Sequence, residues 1–138
     1  MNKKYERYIS YIVNDIKPPY FINMRDNYGL RPEEYRFILS KVFNQPISIK
    51  GNSVYDQNDN NIYFETSNGY WNKNEFDQYG NNIYYETSDG FWEKREYDQY
   101  GNLIYKENST GFWYKREYDS NGKVIYVEDS DGVIIDNR

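Results

Sequence analysis

The chain has 138 residues, 20% of them aromatic, with 18 Tyr and neither Cys nor His, so disulfides, thiolate chemistry and imidazole bases are excluded. Its net charge of −5 is split unevenly: residues 1–50 hold nine Lys/Arg against five Asp/Glu, and residues 51–138 hold eight against seventeen, a basic head on an acidic body. No run nears the ~18 apolar residues of a membrane span, and Met1-Asn2-Lys3-Lys4-Tyr5 lacks a signal peptide's apolar core, so a cytoplasmic protein, or one carried in a virus particle, is expected.

The head predicts two helices. Tyr5, Tyr8, Ile9, Ile12, Val13 and Ile16 fall at helical spacing and line one face, which gives a helix over about residues 3–16. Lys17-Pro18-Pro19 ends it, because the residue before proline avoids the α region. Residues 18–30 read as a loop whose Tyr20, Phe21, Ile22 and Met24 pack onto another element. A second helix starts at Pro32 and runs over about 32–44, with Glu33 and Glu34 facing its positive end. Tyr35, Ile38, Leu39, Val42 and Phe43 form its stripe, and Asn44-Gln45-Pro46 closes it. Both stripes are core faces.

From Gly51 the period changes to 21. Tyr-Asp or Phe-Asp pairs start at Tyr55, Phe76, Tyr97 and Tyr118, and Gly recurs at 69, 90, 111 and 132. Ile-Tyr recurs from Ile62, Ile83, Ile104 and Ile125, each followed two residues after its Tyr by Glu65, Glu86, Glu107 or Glu128. Trp fills positions 71, 92 and 113, with Ile134 in the fourth slot. A fixed period of this size marks stacked supersecondary units. Asp98-Gln99-Tyr100-Gly101 and Asp119-Ser120-Asn121-Gly122 look like hairpin loops closed by a left-handed Gly, and Ser-Asx-Gly-like turns follow at 67, 88, 109 and 130. The expected fold is therefore α+β: a short helical head over residues 1–50, then an antiparallel β-meander of four 21-residue hairpin repeats, about eight strands, over 51–138. Simple alternation puts Tyr114, Arg116, Tyr118, Val124 and Tyr126 on one face, and Trp113, Lys115, Glu117, Ile125 and Val127 on the other.

The stretch from Gly111 to Tyr126, with Phe112-Trp113-Tyr114 and Tyr118-Asp119-Ser120-Asn121-Gly122, resembles the YD repeat of RHS-type proteins. That resemblance covers about 85 residues and implies a twisted β-sheet built from successive hairpins. Large shells of that family enclose a cargo with many repeats, and four are too few to close one. The added Ile-Tyr-x-Glu and Gly-aromatic-Trp elements are similar to those of small bacterial and phage proteins that join a helical head to such repeats. The likeness implies a phage or mobile-element setting.

Chemistry is sparse. Asp56, Asp77, Asp98 and Asp119 share one repeat position, and fourfold copies suit turn hydrogen bonding better than a unique catalytic dyad. Glu65, Glu86, Glu107 and Glu128 read as structural for the same reason. No catalytic residue, metal ligand or cofactor is expected; the Asx/Gly spacing matches neither an EF-hand nor a nonapeptide Ca²⁺ repeat. An acidic, aromatic sheet repels phosphate, so direct nucleic-acid binding is disfavoured, whereas a basic protein surface, such as that of a host nuclease or ribonucleoprotein, suits it. The candidate partner-binding residues are the row Trp71, Trp92 and Trp113, the acids Glu93, Glu96 and Glu117, and the positions that break the repeat, Arg95, Arg116, Lys106 and Tyr114. Asp59 also breaks it, standing where Gly80, Gly101 and Gly122 supply the turn. The expected function is a non-enzymatic interaction protein inhibiting a host defence effector in the manner of an anti-CRISPR; a virion assembly component and a carbohydrate-binding module are the alternatives.

Overall fold

In the computed structural model, which describes residues 3–138 and the side chains from residue 7 onward, three helices precede ten strands. The side chains of Lys3, Lys4 and Tyr5, part of the basic head and its first stripe, lie outside the described residues. The chain divides into two compact units, Met1–Asn72 and Lys73–Arg138.

The first unit holds helices α1 (Lys3–Asp15), α2 (Tyr20–Asp26) and α3 (Pro32–Val42) and strands β1 (Ser48–Lys50), β2 (Ser53–Tyr55) and β3 (Asn61–Glu65). The sequence stripes are its core faces: Ile9, Ile12 and Ile16 of α1 and Ile38 and Leu39 of α3 are buried, and the two helices pack together. Tyr8 departs from its stripe. It is 46% exposed and donates its hydroxyl to the Tyr28 carbonyl at 3.3 Å. At the start of α3, Pro32 occupies the first turn and Glu34 accepts the Arg31 backbone N–H at 3.0 Å.

The segment read as a loop contains a third helix. Its seven residues carry no local N-terminal cap, and no sequence-local signal starts it. Its first N–H groups are met from 43 or 44 residues away. Glu65 Oε1 accepts from Phe21 N–H at 2.7 Å, Glu65 Oε2 from Ile22 N–H at 3.1 Å, and the Tyr63 hydroxyl from Tyr20 N–H at 2.9 Å. The Tyr63 hydroxyl in turn donates to Glu65 Oε1 at 2.7 Å. Burial, and then that bond to Glu65, push the Tyr63 phenol far above its ordinary value, so it stays protonated and able to donate. Around it Tyr20, Phe21 and Phe43 place their rings 4.9, 6.2 and 6.0 Å from the Tyr63 ring. A buried carboxylate is tolerated here because a helix start supplies donors and positive potential.

Strand β4 (Trp71–Phe76) carries the chain from the first unit to the second. The second unit continues with β5 (Asn82–Thr87), β6 (Trp92–Tyr97), β7 (Leu103–Asn108), β8 (Trp113–Tyr118), β9 (Val124–Asp129) and β10 (Gly132–Asp136), and holds no helix. Pairings described within each unit join consecutive strands, all antiparallel. Ten strands form where about eight were expected. β1, formed before Gly51, and β10, formed after the last Ser-Asx-Gly turn, extend the meander at its two ends.

The turns use the expected chemistry. Oδ1 of Asp98 accepts the backbone N–H of Tyr100 and Asn102, both at 2.9 Å, while Asn102 Nδ2 donates to Oδ2 at 3.2 Å. Asp56, Asp77 and Asp119 hold equivalent backbone N–H groups at 2.9 Å. At Asp77 and Asp98 burial works against the charge, but these hydrogen bonds outweigh it and keep the carboxyl below its ordinary range. Gly101 closes its turn at φ 85°, and Asp59 adopts the same left-handed region at φ 62°.

The face assignment needs correction. Tyr118 does stand opposite Val124, but Glu117 then faces Tyr126 and Arg116 faces Val127, because a bulge inserts Ile125. The same shift places Tyr97 opposite Leu103 and Glu96 opposite Tyr105. Tyr126 therefore shares a face with Trp113, Lys115 and Glu117, and Val127 with Tyr114 and Arg116. Alternation alone missed this, because one extra residue reverses every side chain that follows.

Two substitutions test these features. Glu65→Ala strands three donors in a closed site and lowers stability by about 3 kcal/mol, whereas Glu107→Ala, at the equivalent position of the second unit, costs less than about 1 kcal/mol; urea denaturation followed by circular dichroism reads both. Asp59→Gly relieves a left-handed non-glycine residue and raises the urea midpoint by the equivalent of about 0.5 kcal/mol, net of glycine's greater unfolded-state entropy.

Candidate functional site

The ten candidate residues do not form one patch. Trp71 belongs to the first unit, where its ring stacks 6.4 Å from Tyr63, a packing role. The other nine lie on two opposite faces of the second unit.

One face carries Glu93, Arg95, Lys106, Tyr114 and Arg116. Glu93 is only 4% exposed. The Arg95 guanidinium meets its carboxylate at 2.5 Å, and the Lys106 ammonium lies at 3.3 Å. Lys106 stands opposite Arg95 on one side and Tyr114 on the other, so the register assembles what the sequence shows as scattered departures. Arg95 lies over the Tyr85 ring at 5.8 Å, and Lys106 and Arg116 over the Tyr114 ring at 5.8 and 4.7 Å. Burial pulls against the Arg95 charge, but the bond to Glu93 outweighs it and holds its proton more tightly than usual. The cations of this face are thus largely spent on one buried acid and two rings. Arg116 Nε is buried with no hydrogen-bond partner.

The opposite face carries Trp92, Glu96, Trp113 and Glu117, with Lys94 and Lys115 between them. Lys94 lies over the Trp92 ring at 5.2 Å and Lys115 over Trp113 at 5.4 Å. Glu96 and Glu117 are exposed at their strand ends. They border an open groove of about 980 Å³ that also includes Asp98, Tyr105, Asp119 and Tyr126. The groove is walled by Ile104, Ile125 and Tyr118 and gathers four carboxylates against Lys115, Arg116 and Arg138. An acidic, aromatic recess of this kind can receive a cation or a donor-rich protein segment.

Sequence reasoning passed over the Tyr-x-Glu pairs on this face. The Tyr105 hydroxyl donates to Glu107 Oε2 and the Tyr126 hydroxyl to Glu128 Oε1, each at 2.8 Å. That bond, then burial, raises both phenols above their ordinary value. The Glu residues serve tyrosine hydroxyls and not turn N–H groups; the recurrence of Ile-Tyr-x-Glu was the available signal, since residues two apart on a strand share a face.

Among the described residues no group of three or more acidic side chains is placed to hold a metal ion, and no helix is long and apolar enough to cross a membrane. No protein-family model matches the chain, and no curated protein is similar to it.

Removing Glu93 leaves Arg95 and Lys106 facing one another without a counter-charge. Both cations are about 30% exposed, so solvent softens the effect, and Glu93→Ala lowers stability by about 2 kcal/mol. Lys106→Val, which installs the residue found 21 positions later, costs under about 1 kcal/mol. Equal losses in denaturation midpoint for the two variants contradict this account of the cluster.

Proposed function

We propose that the protein is a non-enzymatic interaction module of a phage or mobile element, built from four copies of one hairpin unit, that binds a basic protein surface. Its most concrete form is an inhibitor of a host effector that handles nucleic acid. The observation that carries this reading is the groove face of the second unit, where Glu96, Glu117, Asp98 and Asp119 stand among Tyr105, Tyr118 and Tyr126. The second unit has eight Lys/Arg and fourteen Asp/Glu, a net charge of −6. Arg95 and Lys106 are held on the opposite face by Glu93, and around the groove four carboxylates outnumber the cations Lys115, Arg116 and Arg138. Aromatic anchors with a carboxylate rim suit a cationic partner, and the charge speeds encounter.

A virion assembly component is the second reading. It is favoured by β10, whose Val133 and Ile134 are 59% and 62% exposed on a strand paired to β9 alone among those described in this unit. Such an edge can pair with another chain. The carbohydrate reading loses support because a lysine ammonium lies over each of the Trp92 and Trp113 rings.

The test is direct binding between the purified protein and purified nucleic-acid-targeting effectors of the host. Binding is expected to weaken at least tenfold between 50 and 300 mM salt, to compete with the effector's DNA or RNA, and to be lost in the double variant Glu96→Lys/Glu117→Lys. Absence of binding to any effector, with the protein found by mass spectrometry in purified particles, transfers the function to assembly.

A further inference from the structure

The first unit shows what a Tyr-x-Glu pair on this sheet can bind. Glu65 takes two successive N–H groups of a helix start, Tyr63 takes the N–H before them, and two aromatic rings of that start lie against Tyr63. The second unit carries the same pair 42 residues later, at Tyr105 and Glu107. The internal bond is the same, Tyr hydroxyl to Glu carboxylate, at 2.8 Å against 2.7 Å. The Trp position is repeated as well: Trp71 stacks on Tyr63, and Trp113 stands across the strands from Glu107.

What differs is the occupant. The second unit has no helix, and no backbone N–H of the described residues is donated to Glu107. Lys94, its neighbour across the strands, holds its ammonium over Trp92 and makes no ion pair with Glu107. Tyr105 opens onto the groove, whose Ile104, Ile125 and Tyr118 walls leave room for an aromatic ring. The sister pairs are more encumbered: Arg138 lies 3.8 Å above the Tyr126 ring, and Lys73 approaches Glu86 at 3.9 Å.

We propose that Tyr105 and Glu107 receive the first turn of an α-helix from a partner protein. Glu107 accepts two successive backbone N–H groups, the Tyr105 hydroxyl accepts the N–H before them, and an aromatic side chain of that turn enters the groove. The inference rests on the reading of this face as a protein-docking surface and names the chemistry of what docks. The helix start is aromatic, like Pro19-Tyr20-Phe21, and carries no acid in its first turn, as α2 carries none. An acid there faces Glu107 and is repelled, while the helix dipole favours the carboxylate.

The test titrates the isotope-labelled full chain with an acetylated synthetic peptide of residues 18–30. Amide shifts are expected at Tyr105, Glu107 and Trp113. Glu107→Gln in the protein lowers the affinity at least fivefold, and Phe21→Glu in the peptide abolishes the shifts. Shifts confined to Tyr63 and Glu65, affinity unchanged by Glu107→Gln, or no shifts at all overturn the proposal. The effector assay separates the two readings. Effector binding that is lost in Glu96→Lys/Glu117→Lys but unchanged in Glu107→Gln removes the helix-start inference and leaves the docking surface standing. Peptide shifts at Tyr105 without any effector binding support the inference and sink the effector.

Discussion

The first unit depends on one buried carboxylate. Glu65 is 3% exposed, and it is held there by three donors: two N–H groups at the start of α2 and the hydroxyl of Tyr63. An unpaired carboxylate in that position would be strongly disfavoured, and an uncapped seven-residue helix would have little reason to form. Each removes the other's cost. Tyr63 joins them by donating to Glu65 while accepting from Tyr20, and its ring is the centre of an aromatic cluster with Tyr20 and Phe21 of α2 and Phe43, the residue after α3.

The second unit solves the same problem differently. It holds no helix, its Glu107 and Glu128 are half-buried rather than buried, and each accepts from the tyrosine hydroxyl two residues before it. Its side chains meet instead along and between strands, with lysines over the tryptophans two residues before them on one face and a buried Glu93 held by Arg95 of its own strand and Lys106 of the next on the other. The consequence for function is a partial separation of charge. Arg95 and Lys106 are drawn to Glu93 on one face, and the other gathers carboxylates and phenols around a groove in which four acids outnumber Lys115, Arg116 and Arg138.

Much of this was legible in the residues. The apolar stripes of α1 and α3, the Pro32 start, and the Asp-centred turns all follow from local chemistry: spacing, proline's fixed φ, and a short carboxylate's reach to N–H groups two and four residues on. The departures Arg95, Lys106, Tyr114 and Arg116 were visible as breaks in a frame. Their meeting on one face was not, because cross-strand neighbours are set by register, and a one-residue bulge at Ile125 or Ile104 is nearly silent in sequence.

By itself the sequence determined the periodic turns, the two helical stripes that precede them, the absence of thiol and imidazole chemistry, and the basic-to-acidic change along the chain. These are local or additive properties, readable without knowing what touches what. Only the tertiary structure decided that residues 20–26 are helical, since their cap comes from Glu65, and only it decided which residues share a face with Trp113. Both depend on groups distant in the chain or on a register shift, and neither a stripe nor an alternation carries that information.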